Sequence, residues 1–380
     1  MSKKDPKKNL LEHSKAKVQL LGEYLKAYLG IISSNKYVKE IHICDLCCGE
    51  GLYENKGEGS PLVILRHIKE LYENNINLNN QSKIPKITCH FNDIDTSKIE
   101  KLENSIKVKN LCQSNTITLN FTSNDYKLEI ERLDKIFKSF DNEKVFVFID
   151  PYGYKDITAE QIKLLLDCNK KSEVLLWLPI QFMYRFRDNG TPDALLNLMK
   201  TLNINVPKKN DNVWKFMDEL RDGFQNYLGG QYFVDNFSIK KDNNTVFCLY
   251  FFTPNIKGLE KILYAKWDID KQNGKGWDYT NKQILIFSKE EVRTRIDELE
   301  DKLENFLISD VRVYNGDIYE FTLKQRYLPK HTNTILKKWQ DNNKLDVSLY
   351  NGEKARKGAF YIEYKHKGHK DNQKAYFTLK

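Results

Sequence analysis

The sequence predicts an α/β protein of two domains: a seven-stranded Rossmann-like domain over residues 1–255, and linker helices with a winged helix-turn-helix domain over residues 256–380. Three observations predict it. Five short apolar runs alternate with helical segments in the first part, the pattern of a parallel sheet covered by helices. The first run, Ile41 to Cys44, ends on Asp45, and Gly49 and Gly51 follow two residues apart. That is how a buried strand passes into a turn where backbone approaches a ligand closely. The carboxyl-terminal part reads helix, helix, basic hairpin.

With 380 residues, 40% of them hydrophobic, the chain can bury one large core or two smaller ones. No apolar run approaches the roughly 20 residues of a membrane span. The basic start, MSKKDPKKNLLEHSK, lacks the apolar stretch of a secretory signal. Seven cysteines, an odd number, sit mostly within strand-like runs, which reads as a cytoplasmic protein with reduced thiols. Cys44 and Cys47 have the spacing of half a zinc site, but no second pair follows, so no metal is expected.

Leu11, Val18, Leu21, Leu25 and Leu29 at helical spacing predict a helix from Leu10 to about Ile32. His13, Lys15 and Lys17 near its start either face the ligand or, as the more usual reading, are surface residues. Asp45-x-x-x-Gly49-x-Gly51 after a strand is the usual opening of S-adenosylmethionine-dependent methyltransferases, so S-adenosylmethionine is the expected cofactor. An insertion, Leu52 to Gly59, then leads to Ser60-Pro61, an N-cap with a first-turn proline, and to a helix ending near Tyr72. Asn74 to Lys86 reads as a polar loop. The second strand runs from Ile87 into Asp93-Ile94-Asp95, where an acid can accept both hydroxyls of a ribose. Asp95 or Thr96 starts the next helix, which leaves Asp93 free for that role.

Thr116 to Phe121 is the third strand. Asn124 and Asp125 after it meet an adenine edge or, equally well, form a turn. Lys144 to Ile149 is apolar almost throughout and too short for a helix, so it suits a central strand buried on both faces. It ends in Asp150-Pro151-Tyr152-Gly153. Val174 to Leu178 follows a helix over Ala159 to Leu166, and Gln231 to Ile239 pairs with Thr245 to Phe252 as a hairpin. Right-handed crossovers put Asp45, Gly49, Gly51, Asp93, Asn124 and Asp150 on one edge of the sheet. Cys47 and Asp125, in the same turns, complete the candidate cofactor residues.

Beyond residue 256 come a short helix, Leu259 to Trp267, and a charged amphipathic one, Ser288 to Leu307. Helices over Asp317 to Leu323 and Leu328 to Trp339 follow, then strands over Lys344 to Leu349 and Ala359 to Tyr364. From Glu320 to Lys380 there are fourteen Lys+Arg and six Asp+Glu, a net +8 of the chain's +9. Such a patch fits a polyanion, most simply nucleic acid, or a solvated lysine-rich surface. If nucleic acid, Lys330, His331, Lys337 and Lys338 of the helix and Lys354, Arg356 and Lys357 of the wing would contact phosphates. Many winged helices bind proteins instead.

At these residues the chain resembles the three-Cys-motif partner proteins (TcmP) over nearly its full length. The likeness rests on the H-S-K-A-K…Y-L helix and on D-L-C-C-G-E-G-L-Y-E-N-K-G-E-G-S-P-L, where the family typically reads D-x-F-A-G-x-G-x-Y…G-S-P. F-I-D-P-Y-G and the carboxyl-terminal Y-x-F-T-L…L-P-K-H-x-N-x-I-L extend it. The resemblance implies a class I methyltransferase-like fold and a partner bearing a three-cysteine motif, similar to a radical S-adenosylmethionine protein. Cys47-Cys48 stand where the family often has Phe-Ala.

In amino-group methyltransferases acting on nucleic acid, a D/N-P-P-Y/F segment follows the fourth strand. Its acid or amide accepts hydrogen bonds from the target amine, and its ring stacks on the base. Asp150-Pro151-Tyr152 resembles that segment without the second proline. Asp150 is expected to orient the nucleophile and Tyr152 to stack on it or on the sulfonium; the plain alternative is a strand end closed by a Pro-Tyr-Gly turn. The function these residues point to is methyl transfer to nucleic acid. A non-catalytic nucleic-acid-binding or scaffold subunit is the alternative. A metal-dependent hydrolase built on Asp93, Asp95 and Asp150 has no motif behind it.

Overall fold

A computed structural model of the chain describes residues 9–77, 84–112, 117–151, 153, 157–168, 170–185, 191–205, 212–279, 295–309, 312–368 and 370–380. The chain divides into two compact units, one taking residues up to Lys261 with a return from Lys275, the other Ile262–Gly274 with the residues up to Lys380.

The first unit alternates helices and strands: α1 (Glu12–Ile32), β1 (Glu40–Asp45), α2 (Ser60–Asn77), β2 (Lys86–Asn92), α3 (Thr96–Val108), β3 (Ile117–Thr122), α4 (Tyr126–Phe137) and β4 (Lys144–Ile149). Then come α5 (Ala159–Asp167), β5 (Ser172–Leu178), three helices α6 (Ile180–Arg185), α7 (Asp193–Thr201) and α8 (Val213–Leu228), and the hairpin β6 (Phe233–Asp242) and β7 (Thr245–Thr253). α9 (Ile256–Ile269) contains the unit boundary, and β8 (Gly276–Asp278) returns to the sheet.

The sheet order is β3-β2-β1-β4-β5-β7-β6-β8. β1 to β5 are parallel, and β7 is antiparallel to both its neighbours. Strand order therefore reverses between β1 and β4, and a crevice opens outside their carboxyl ends, where α/β sheets take ligands. β5 is buried along its whole length and β4 from Val145 onward, as the apolar runs Val145–Ile149 and Val174–Leu178 require.

Seven strands were expected and eight are present. β8 joins the outer edge of β6 in parallel, with Ser238 N–H donating to the Lys275 carbonyl at 3.1 Å. The approach is so close that a Cβ at position 276 would lie 1.9 Å from Ser238 Oγ, so glycine is required there. Three residues are too few to show a period in sequence. α2 also outruns the expected end at Tyr72, because no glycine or proline interrupts residues 62–84.

The second unit, after the end of α9, holds α10 (Arg295–Ile308), β9 (Val313–Tyr314), α11 (Asn315–Lys324), α12 (Pro329–Asp341), β10 (Leu345–Leu349) and β11 (Ala375–Leu379). The start of the predicted helix at Ser288 lies outside the described residues. The three strands form an antiparallel sheet, order β10-β11-β9. Pro329 opens α12 as its fixed φ allows.

The strand expected over Ala359 to Tyr364 is absent. Phe360 and Ile362 are buried as the alternation implied, but Tyr361 turns to φ +53° and Tyr364–His366 is a 3-10 turn. The backbone partner of β10 is β11 instead. Asn315 fixes this longer wing: its amide donates to the Tyr361 carbonyl at 2.8 Å and accepts from Lys374 and Ala375 N–H at 2.9 and 3.0 Å.

Candidate functional site

A cavity of about 180 Å³ opens at the carboxyl ends of β1, β2, β3 and β4, lined by Leu46, Cys47, Asn92, Asp93, Ile94, Asn124, Asp125, Tyr126, Pro151 and Gly153. Four of these were singled out from sequence. Leu46 and Cys47 bring the start of the turn after β1 to the cavity wall. Gly49 has φ +65°, and a Cβ built there meets nothing within 4 Å, so its backbone faces open space. Gly51, at φ +76°, is closed off behind it by Leu102.

Asp45, the last residue of β1, is fully buried. Burial raises its carboxyl to about 7; Ser60 opposes this by hydrogen bonding, and Asp150 adds to it. Oδ1 accepts weakly from Cys47 N–H at 3.4 Å, while Oδ2 has no hydrogen-bond partner among the described residues. An orphaned carboxylate oxygen beside an open glycine turn suits a ligand carrying an ammonium or hydroxyl donor. Burial also pushes the Cys47 and Cys48 thiols up, so both stay protonated.

Asp93 is 2% exposed and not free. Oδ2 accepts from Gly49 N–H at 3.0 Å, Oδ1 accepts from Asp95 N–H at 3.0 Å, and Lys98 Nζ lies 3.2 Å from Oδ1. Asp95 caps α3 through Ser97 N–H at 3.0 Å, as expected. Ile94 beside them is 64% exposed at the rim. Asn124 and Asp125 border the cavity, but their side chains serve the turn: Asp125 caps α4 through Lys127 N–H, and the Asn124 amide donates to Glu129.

Asn92 escaped sequence reasoning because it reads as one more strand residue. Buried, it donates to the carbonyls of Leu46 and Asn124 at 3.1 and 3.0 Å and accepts from Thr122 Oγ1 and Asn124 N–H at 2.9 and 3.0 Å. It ties three strand ends into one rim.

The other side of the switch point differs from expectation. Lys17, read more as a surface than a ligand-facing residue, is largely covered, its side chain 11% exposed, and ion-paired with Asp150. Burial opposes its charge, but the Asp150 carboxylate more than offsets that and raises the Lys17 pKa. Its ammonium sits 4.9 Å over the Trp177 ring. Trp177 stacks on Phe247 at 4.8 Å, and His13 stacks on the same ring at 5.5 Å. Burial, then Lys241 and Lys17, lower the His13 imidazole to about 4, so it is neutral. Lys15 is exposed and pairs with Glu12 at 2.7 Å. The available signal was spacing: Lys17 shares a helical stripe with Leu20, Leu21 and Tyr24, and a cation on such a stripe needs a buried partner. Tyr152 lies outside the described residues.

Among the described residues no cluster of three His, Cys, Asp or Glu side chains suits a metal ion, and no helix is long and apolar enough to cross a membrane.

In the second unit α12 buries Thr332, Ile335, Leu336 and Trp339, and exposes Lys330, Asn333, Thr334 and Lys337. His331 is turned inward against Trp267 at 4.2 Å, accepts Leu328 N–H at its Nδ1, and is lowered to about 4 by burial. It is a helix cap and not a phosphate contact. Lys338 pairs with Glu300 at 2.8 Å and Lys357 with Asp341 at 2.6 Å. Lys330, Lys337, Lys354 and Arg356 are exposed.

Three helices, a three-stranded sheet and a wing make this unit a winged helix-turn-helix. Residues 276–351 match the family described as the GMT-like wHTH domain. That match covers less than half of the chain and, apart from residues 276–282, lies in the second unit. No curated protein matches the chain. Solved structures similar to it include a protein from Legionella pneumophila, at 13% identity and TM-score 0.37 over 64% of this chain and 85% of that one. The O-methyltransferase TomG from Streptomyces achromogenes, in complex with SAM, is 12% identical at TM-score 0.35 over 66% and 91%. An rRNA methylase from Streptococcus thermophilus is 10% identical at 0.32 over 61% and 92%. At these scores the likenesses decide nothing about this chain.

Proposed function

We propose that the first unit binds S-adenosylmethionine at the carboxyl edge and directs its methyl group to an amine of a nucleic acid held by the winged helix. The observation that carries the reading is Asp45: a buried carboxylate with an unpartnered oxygen, at the β1/β4 switch point, directly before Leu46 and Cys47, which line the cavity. Asp45 Oδ2 accepts the ammonium of the cofactor's methionine part. Asp93 takes the ribose hydroxyls in place of the Lys98 ammonium, and exposed Ile94 covers one face of the adenine. Asn124 and Asp125 shape the adenine end through their backbone. When bound, the cofactor supplies an activated methyl group, so positioning is the protein's main contribution. Asp150 accepts a hydrogen bond from the target amine, Lys17 holds that carboxylate in place, and Tyr152 stacks on the base. Lys330, Lys337, Lys354 and Arg356 contact phosphates, and the fitting partner protein, from the sequence resemblance, bears a three-cysteine motif.

The Lys17–Asp150 pair also favours a second reading, a non-catalytic nucleic-acid-binding or scaffold subunit of such a partner, because an acid already paired with lysine has less to offer an amine. Transfer of labelled methyl from S-adenosylmethionine to total cellular nucleic acid separates the two. Catalysis requires transfer by the wild type and its loss in Asp150→Ala. Cofactor binding without transfer, with or without the partner present, supports the scaffold.

A further inference from the structure

The second unit presents a surface that α12 does not use. Leu345 and Val347 of β10, and Ala375 and Phe377 of β11, are buried against α11 and α12. By the alternation of a pleated strand, Ser348 and Tyr376 face the other way. Tyr314 of β9 is in register with Tyr376, the rings 6.3 Å apart, and Tyr350, just past β10, lies 6.2 Å from Tyr314. Tyr350 is 54% exposed and the other two half-buried. The Arg312 guanidinium lies 5.1 Å over the Tyr376 ring. Lys374, whose carbonyl accepts Tyr350 N–H, sits 4.6 Å over Tyr361. Asp346 on the same strand is ion-paired with Lys380 at 3.1 Å.

We propose that this tyrosine face of the wing sheet binds the unpaired bases of a single-stranded nucleic acid. The proposal rests on the nucleic-acid half of the functional reading and not on methyl transfer. One exposed and two half-buried rings, set among cations in a region of net +8, combine the two attractions such binding uses: base stacking on aromatic faces and backbone attraction to Lys and Arg. Bases inside a duplex are already stacked and cannot reach the rings, so the face distinguishes unpaired from paired strands. Tyr350, more than half exposed, contributes little to this core.

Fluorescence anisotropy of the full chain with labelled twelve-nucleotide RNA, the same sequence as DNA, and the corresponding duplexes tests it. Single strands should bind more tightly than duplexes, and the RNA and DNA arms identify the source. Tyr350→Ala should weaken single-strand binding about tenfold, and Tyr350→Phe should keep it; unchanged melting temperatures exclude unfolding as the cause. Single-strand affinity unaltered in Tyr350→Ala, or duplex binding without single-strand binding, overturns the platform while leaving the nucleic-acid reading in place. No binding to any oligonucleotide overturns both, and a co-purifying protein then lost on Tyr350→Ala assigns the face to a protein partner.

Discussion

Two of the carboxylates buried in the first unit, Glu173 and Asp45, lie at opposite ends of one sheet. Glu173, near the start of β5, accepts from the Tyr24 hydroxyl at one oxygen and from Thr253 Oγ1, 2.6 Å away, at the other. Asp45, at the end of β1, keeps an oxygen without a partner beside a cavity. Burial raises the pKa of both. The difference is what surrounds them: a saturated buried acid holds helix, strand and strand together, whereas an unsaturated one waits for a donor from outside.

Removing each group shows whether that distinction is real. Glu173→Ala strands two buried hydroxyls and should cost on the order of 3 kcal/mol in chemical denaturation while leaving cofactor affinity unchanged; reduced affinity would erase the contrast. Asp93→Ala should raise the dissociation constant for S-adenosylmethionine about a hundredfold, from the loss of charge-assisted hydrogen bonds, as read by calorimetry.

Acidity sharpens the contrast further. A raised folded pKa means that Asp45 holds its proton more tightly folded than unfolded, so its contribution to stability is present at low pH and declines as pH rises through about 7. Its charged form, the one that receives an ammonium, grows over the same range. Cofactor affinity should therefore rise by up to roughly tenfold per pH unit below 7 and level off above it, and Asp45→Asn should flatten the profile. The same logic applied to α12 gives the smallest effect. Lys337→Ala should lower the salt dependence of nucleic-acid binding by about one unit of log–log slope, and Lys338→Ala by less, because Glu300 already pairs with Lys338.

Much of the sheet was legible because its central strands are largely apolar, and Asp45, Cys47, Gly49 and Asp93 share one edge because topology puts successive strand ends together. Three things were not. β8 is three residues long, too short to show a side-chain period, although Asp278 pairs with Lys240 of β6 at 3.2 Å. The second arm of the wing was misplaced because Phe360 and Ile362 are buried from an irregular segment and mimic a strand. Lys17 and His331 looked solvated by residue type, yet tertiary contacts made one the partner of Asp150 and the other a neutral helix cap. Contacts between residues far apart in sequence write no local pattern.

S-adenosylmethionine is proposed to occupy the cavity at the carboxyl ends of β1 to β4, next to buried Asp45. Calorimetric titration of the purified protein with S-adenosylmethionine and S-adenosylhomocysteine, at pH 6 and pH 8, tests it most directly. Saturable one-to-one binding of both, tighter at pH 8 and with that difference lost in Asp45→Asn, is the expected result. No heat and no shift in melting temperature with either compound at millimolar concentration would contradict it.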